Sequence, residues 1–113
     1  MIEAKDIRNL NRIVEKIKLF FEDKIQFYPL VDDLSALSWD LETPDTKWAE
    51  CFYPEWGELE IIRALAQENN NKYSNEDTKL VFASLKKMLF LTEKFLKEEA
   101  TAGSNSQLPL AKA

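Results

Sequence analysis

Histidine is absent from this chain, and cysteine and glycine are scarce. Without histidine, the chain lacks the most common acid/base catalyst and the most common transition-metal ligand. Its single cysteine, Cys51, can form neither an internal disulfide nor a thiolate metal cage. The two glycines, Gly57 and Gly103, form neither a nucleophile elbow nor a phosphate-binding loop. We therefore expect a protein that is not an enzyme and that carries no cofactor and no metal.

Long apolar runs are also missing from the sequence. The longest run near the C-terminus extends only from Met88 to Leu91, far short of the roughly 20 residues that cross a bilayer. We therefore expect no integral membrane role. Because residues 1–6 show no basic leader followed by an apolar run, the expected location is the cytoplasm.

The residues that are present favour helices around a single core. Apolar residues make up 45% of the 113 residues, and a chain of this length can bury roughly two thirds of its unfolded surface. Apolar residues recur at three- and four-residue steps in four segments, which is typical of amphipathic helices. These segments are Ala4 to Glu22, Phe27 to about Glu42, Pro44 to Ala66 and Ser74 to Leu96. In the first segment the predicted buried face consists of Ile7, Leu10, Val14, Ile17 and Phe21.

Prolines and small polar residues predict where the helices begin and end. Pro29 and Pro44 lie in first turns, where a missing N–H costs little, and Ser74 can cap the last helix. Pro54 lies inside the third segment, and we expect a kink or a break over residues 52–54 because proline clashes with the preceding turn. The asparagine-rich stretch 69–73 is expected to form a loop, since asparagine tolerates the left-handed region.

We predict an all-α protein, a compact bundle of four to five helices with a flexible C-terminal tail. Residues 1–99 form the single helical domain of this prediction, and residues 100–113 form the tail. The tail is expected because small polar residues predominate from Thr101 onward. Sustained heptads are missing, which favours a compact bundle over a long coiled coil, and a monomer is the favoured oligomeric state.

Helical spacing divides the three tryptophans between core and surface. Trp48 and Trp56 share a stripe with Phe52 and Leu59, so we expect them in the core. Trp39 lies about half a turn away from the leucines of the second helix. We therefore expect Trp39 to be partly exposed and available to a partner.

All three tryptophans fall within a strongly acidic stretch, residues 26–68. Ten carboxylates stand there against Lys47 and Arg63, which gives a local charge of −8 within a total of −5. The two flanking segments carry +1 and +2. Large apolar anchors in a negative field suit a basic protein partner, because the field accelerates encounter while tryptophan burial supplies affinity. The same charge disfavours nucleic acid, whose phosphates would be repelled.

Gly57 and Cys51 each have a structural and a functional interpretation. Inside a helix, glycine costs roughly 1 kcal/mol relative to alanine. The favoured reason for Gly57 is close approach of Trp48, Trp56 or a neighbouring helix; the alternative is a gap that admits a partner side chain beside Trp56. Cys51 is interpreted as a small, inert core residue.

Glu55 and Glu58 form the one pattern that a metal-dependent enzyme could use. Carboxylates three residues apart on a helix can hold magnesium in helical nucleotide hydrolases, which need a second carboxylate pair on a facing helix. Glu76 and Asp77 lie at a helix start, and no carboxylate occupies position 79 or 80. The favoured interpretation places Glu55 and Glu58 in the first turn after Pro54, where they stabilise the helix dipole.

The run from Trp48 to Ala66, WAECFYPEWGELEIIRALA, follows LVDDL at Leu30 to Leu34 and an amphipathic first helix. This arrangement resembles small all-helical bacterial immunity proteins, the cognate inhibitors of toxins in contact-dependent inhibition and related polymorphic toxin systems. The resemblance covers roughly residues 7–96. It implies an acidic antitoxin that covers the basic active-site cleft of a secreted toxin, with a nuclease as the expected target.

The partner-binding surface is expected on the acidic and aromatic middle of the chain. Its candidate residues are Asp32, Asp33, Trp39, Asp40, Glu42, Asp45, Glu55 and Glu58. Two alternatives remain open. One is an acidic helical interaction or scaffold module unrelated to toxins, and the other, less favoured, is the carboxylate-metal-dependent nucleotide hydrolase.

Overall fold

The computed structural model describes residues 3–42, 46–70 and 72–112, with side chains as far as Ala100 apart from that of Thr46. Within these ranges the chain forms four helices and no strand. The helices are α1 (Ala4–Phe21), α2 (Phe27–Trp39), α3 (Thr46–Glu68) and α4 (Asn75–Lys112). The all-α prediction is confirmed, and the predicted bounds of α1 and the start of α2 hold to within a residue.

The four helices form a ring in which each packs against the two helices next to it. The packed pairs are α1 with α2, α2 with α3, α3 with α4, and α4 with α1. Neighbours in the chain run antiparallel: Lys5 at the start of α1 reaches Glu42 beyond the end of α2, and Lys16 meets Asp33 further back. Short connections between antiparallel helices are typical of a four-helix bundle.

The core lies at the centre of this ring and draws on all four helices. Its buried apolar residues are Leu10, Ile13, Ile17, Leu30, Val31, Leu34, Trp48, Phe52, Leu59, Ile62, Val81, Leu85 and Met88. The predicted face of α1 is wrong at Ile7, which is 38% exposed, and it omitted Ile13, which is fully buried. The buried stripe of α1 is therefore turned by about one residue from the predicted stripe.

Local signals fix the connections between the helices. The Ser74 hydroxyl accepts a hydrogen bond of 2.9 Å from the backbone N–H of Asp77, which confirms the predicted cap of α4. Asn70 has a φ of 56°, so an asparagine does occupy the left-handed region in the loop that follows α3. At the end of α1, Asp23 has a φ of 61°, and the N–H of Lys24 donates to the carbonyl of Leu19 at 2.9 Å, the pattern of a Schellman motif.

Pro54 does not break α3, so of the expected kink or break at residues 52–54 the break is wrong, and the kink stays a prediction. The helix runs from Thr46 to Glu68 with Pro54 inside it. Pro54 and Glu50 are both exposed, so water can reach the Glu50 carbonyl that lacks a donor from residue 54. Glu55 and Glu58 consequently lie in the middle of α3 and not in a first turn, and the predicted contribution of a helix dipole does not apply to them.

Two further expectations for α3 are corrected by the side-chain environment. Cys51 is exposed, because it lies beside the buried stripe of Trp48 and Phe52 and not within it. A Cβ atom built at Gly57 would meet nothing within 4 Å, so no close approach requires a glycine there. Of the two interpretations of Gly57, the favoured steric one is wrong.

Two predictions concern residues that the structure does not describe: the start of the third helix and the C-terminal tail. Pro44, which was expected in the first turn of the third helix, lies outside the described residues. α4 continues to Lys112, and the side chains after Ala100 are also outside the described part, so the flexible tail at residues 100–113 stays a prediction. Among the described residues, no helix combines the length and the apolar character needed to cross a membrane.

Candidate functional site

The most exposed tryptophan of the chain lies at the C-terminal end of α2. Trp39 is 68% exposed, as its half-turn offset from the leucine stripe predicted. Its ring lies 5.9 Å from the ring of Trp56 on α3, measured between centroids. The Trp56 indole N–H donates to the carbonyl of Val31 at 3.4 Å, which fixes that ring against α2. The two rings therefore form a partly exposed aromatic pair across the α2–α3 contact.

Two carboxylates follow Trp39 closely in the chain, and α1 holds them in position. Asp40, the residue after Trp39, accepts a hydrogen bond of 3.2 Å from the Asn9 amide and lies 3.4 Å from the Lys5 ammonium. The same ammonium lies 3.4 Å from Glu42. We call Trp39, Trp56, Asp40 and Glu42 the aromatic–acidic corner. Its acidic members come from the end of α2 and its cationic support comes from the start of α1.

Buried Asp6 anchors the segment that carries the corner. Its carboxylate accepts a hydrogen bond of 2.8 Å from the backbone N–H of Glu42, and the residue is only 1% exposed. A buried carboxylate that accepts from a backbone N–H forms a charge-assisted hydrogen bond, stronger than a neutral one. This contact fixes the chain beyond α2 against the first turn of α1. It thereby limits where Asp40 and Glu42 can lie.

The charges around the corner influence one another. A hydrogen bond from Asn9, and then the nearby Lys5, lower the pKa of Asp40 below its ordinary value. Contacts with Asp40 and then Glu42 raise the pKa of Lys5. Both side chains are exposed, and exposed ion pairs contribute little to stability. The arrangement therefore orients the carboxylates more than it stabilises the fold.

A second ionic cluster lies further along the α2–α3 contact. The Arg63 guanidinium donates to Asp32 at 2.6 Å and to both oxygens of Glu60 at 2.7 and 2.8 Å, and it stacks over the Tyr28 ring at 4.6 Å. Partial burial lowers the pKa of Arg63, but the hydrogen bonds with Asp32 and Glu60 outweigh this effect and raise it overall. Asp32 thus forms part of an ion-pair network that links α2 and α3.

The candidate partner-binding residues do not all share one face. Trp39, Asp40 and Glu42 come together at the corner, whereas Asp33 turns toward α1 and pairs with Lys16 at 3.2 Å. On α3, Glu58 is exposed and lies two residues after Trp56. Two helical steps place it about 160° around the helix from Trp56, on nearly the opposite side.

The two remaining candidates are placed differently. Glu55 is half-buried on α3, beside Trp56, and it has no ion pair among the described residues. Asp45 lies outside the described residues. The structure therefore brings only some of the predicted partner-binding residues together at the corner.

Sequence reasoning missed the basic and amide residues that organise these carboxylates. Lys5 and Asn9 hold the corner, and Arg63 holds Asp32. The three-residue step from Glu60 to Arg63 is a local helical signal that could have been read. The Lys5 and Asn9 contacts depend on the packing of α1 against α2, and no local pattern indicates them.

No group of three or more histidine, cysteine, aspartate or glutamate side chains that could hold a metal ion occurs among the described residues.

Comparisons with protein-family models, with curated proteins and with solved structures found no match. The functional interpretation therefore depends on the residues and the geometry given above.

Proposed function

We propose that this chain is an antitoxin of the immunity type, which binds a cognate toxin domain and covers its basic active-site cleft. The observation that carries the proposal is the aromatic–acidic corner. Trp39 is 68% exposed beside Trp56, with Asp40 and Glu42 at its edge. An accessible tryptophan bordered by polar residues has the composition of an interface hot spot. The immunity resemblance of residues 7–96 supplies the class of partner.

The corner suits a cationic partner because its carboxylates are oriented before binding. Asn9 and Lys5 hold Asp40, and Asp6 fixes the backbone at Glu42. Preorganisation reduces the loss of side-chain entropy on association. An arginine or lysine from the toxin can displace Lys5 from the two carboxylates, while the indole of Trp39 enters a pocket nearby. The net charge of −5 adds long-range attraction to a basic surface.

The partner can be isolated by capture from the source cell on immobilised protein. We expect Trp39→Ala to lose the partner and Leu80→Ala to retain it. Leu80 is the control because it is a large exposed apolar side chain, 54% exposed, that lies near the start of α4 and is not part of the corner. Equal capture by both variants would remove the corner from the interface.

Titration of the captured partner distinguishes binding from catalysis. An antitoxin that covers an active site acts stoichiometrically: one equivalent abolishes the toxin's activity, and EDTA does not change the inhibition. The alternative hydrolase would act substoichiometrically, and Glu55→Gln or Glu58→Gln would eliminate its turnover. A captured partner with no toxic activity would favour the scaffold alternative.

A further inference from the structure

The outer face of α4 is rich in exposed lysine. Between residues 79 and 97 there are five lysines and one carboxylate, Glu93, which Lys18 of α1 binds at 3.1 Å. The lysines recur at helical spacing around an exposed aromatic ring. This basic face consists of Lys79, Lys86, Lys87, Phe90, Lys94 and Lys97.

Each residue of the basic face is exposed and has no partner within the described chain. All five lysines are exposed and none takes part in an ion pair among the described residues. Phe90 is 69% exposed, the most accessible of the large apolar side chains. By contrast, several acids of α2 are already paired. The unpaired charge of α4 is thus positive, although the chain as a whole is negative.

The outer face of α3 carries the opposite charge and more apolar side chains. Its residues recur at three- and four-residue steps and are all exposed: Glu50, Pro54, Glu58, Ile61, Leu65 and Glu68. Ile61 and Leu65 are 57% and 56% exposed. The three glutamates have no ion pair among the described residues. This acidic face is separate from the corner, because it points away from α2.

The acidic face and the basic face match in length and in register. Each face covers 18 residue steps, from 50 to 68 and from 79 to 97, or roughly 27 Å of helix. In a parallel alignment, a constant offset of 29 positions puts glutamate at the same level as lysine three times and one apolar residue at the level of another, while Leu65 falls at the level of Lys94. The matched pairs are Glu50 with Lys79, Glu58 with Lys87, Ile61 with Phe90, and Glu68 with Lys97.

We propose that two copies of this chain associate through these faces, with α3 of one copy packed parallel to α4 of the other. The partner surface is a second copy because its acidic face has the charge, the length and the apolar position that the basic face of α4 requires. Within one copy α3 and α4 run antiparallel, so the match can be made only between copies. The contact joins two different surfaces, leaves one of each unused, and therefore continues into longer assemblies.

Sedimentation velocity over a range of protein concentrations tests this association. At about 20 mM salt, where charges act over roughly 20 Å, we expect the mean mass to rise above that of a monomer as concentration increases. At about 500 mM salt we expect monomers, because screening shortens that range to a few ångströms. Phe90→Ala should lower the association without affecting the fold, since the side chain is exposed.

Charge reversal tests the register. Glu50→Lys with Glu58→Lys reverses the acidic face, and Lys79→Glu with Lys87→Glu reverses the basic face. We expect each double variant to remain monomeric alone, because its two faces then repel one another. We expect an equimolar mixture of the two variants to associate again, since opposite charges face each other at both contacts.

The matched control reverses the charge of two lysines that lie outside both faces. Lys24→Glu with Lys72→Glu changes the net charge by the same amount as the α4 variant, and we expect it to associate as the unmodified chain does. Monomers at about 20 mM salt and up to about 1 mM protein would overturn the proposal, since contacts too weak for millimolar association are not specific. Failure of the mixed variants to associate would also overturn it. Binding of the monomer to vesicles with anionic lipid, without self-association, would assign the basic face to a membrane surface.

Discussion

Trp48 and Trp39 are the same residue type in opposite surroundings. Trp48 is 2% exposed, its indole N–H donates to Thr92 at 3.1 Å, and its ring stacks on Phe52 at 4.3 Å. Trp39 makes one aromatic contact and remains mostly exposed. Burial decides the energetic value of each ring, because a ring that remains in water leaves no cavity when it is removed.

Substitution of the two tryptophans should therefore have unequal effects on stability. We expect Trp48→Ala to lower the free energy of unfolding by about 3–5 kcal/mol through cavity formation. We expect Trp39→Ala to lower it by less than about 1 kcal/mol. Urea unfolding of both variants measures the difference. Equal large losses would place Trp39 in the core and contradict its exposure.

Gly57 makes the middle of α3 less stable than alanine would at the same position. Because a Cβ atom there meets nothing within 4 Å, we expect Gly57→Ala to raise the free energy of unfolding by about 0.5–1 kcal/mol. Thermal and urea unfolding measure this gain, with Ala64→Gly, an exposed site on the same helix, as the reverse control. A loss of stability would show that the position is sterically constrained. A gain in stability together with weaker partner binding would support the gap beside Trp56 as a binding feature.

The exposed polar contacts of Lys5 and Asn9 with α2 orient charge more than they add stability. Asn9 joins the two helices through Asp40 and through the Leu37 carbonyl at 3.4 Å, and Lys5 adds its ammonium to Asp40 and Glu42. The hydrogen bond from Asn9, and then Lys5, lower the pKa of Asp40. Because the folded-state pKa is lowered, the stabilisation is present above the ordinary pKa of about 3.9 and is lost as the pH falls through the lowered value.

Removal of the Asn9 amide should therefore shift the titration of Asp40. We expect Asn9→Ala to raise the pKa of Asp40 toward its ordinary value, because the hydrogen bond from Asn9 is the largest cause of the shift. NMR titration of the carboxyl carbon measures this change. Asn11→Ala is the control, since the Asn11 amide donates to the Ile7 carbonyl at 3.0 Å and does not contact Asp40. An unchanged pKa in Asn9→Ala would contradict the contact.

At the scale of the helices, local sequence patterns predicted that the helices exist and where several of them begin and end. They failed to predict that α3 continues through Pro54. The bounds of α1, the Ser74 cap and the loop after Glu68 follow from periodicity and capping chemistry within a few residues of each site. The break at Pro54 was wrong because tertiary packing on both sides keeps α3 helical. Trp48 and Phe52 precede the proline, Leu59 and Ile62 follow it, and all four are buried in one core.

Charge in the whole molecule is less concentrated than the sequence count indicates. The acidic stretch 26–68 carries −8, but Lys5 and Lys16 from α1 and Arg63 from α3 lie against five of its carboxylates. Exposed pairs of this kind lower the local field without removing the net charge of −5. Attraction at long range depends on that net charge, and contact at short range depends on which carboxylates a partner can reach.

Neutralisation of the acids near the corner should slow association with the toxin. We expect Asp40→Asn, Glu42→Gln and Asp45→Asn together to lower the association rate and to weaken its dependence on salt. Stopped-flow mixing at two ionic strengths measures both quantities. The control neutralises Glu15, Glu76 and Glu98, which changes the net charge equally at exposed positions outside the acidic stretch. Equal rates for the two triple variants would show that only net charge matters.

The sequence by itself determined the helical class, the core position of Trp48 and the exposure of Trp39, because periodicity and capping depend on residues close together in the chain. Only the tertiary structure decided which charges meet. Lys5 and Glu42 are 37 positions apart, and Arg63 and Asp32 are 31 apart. Such contacts depend on how the helices pack against one another, which local patterns do not encode. The same dependence explains why Asn9 and Lys5 hold the carboxylates of the aromatic–acidic corner, although no motif had indicated them.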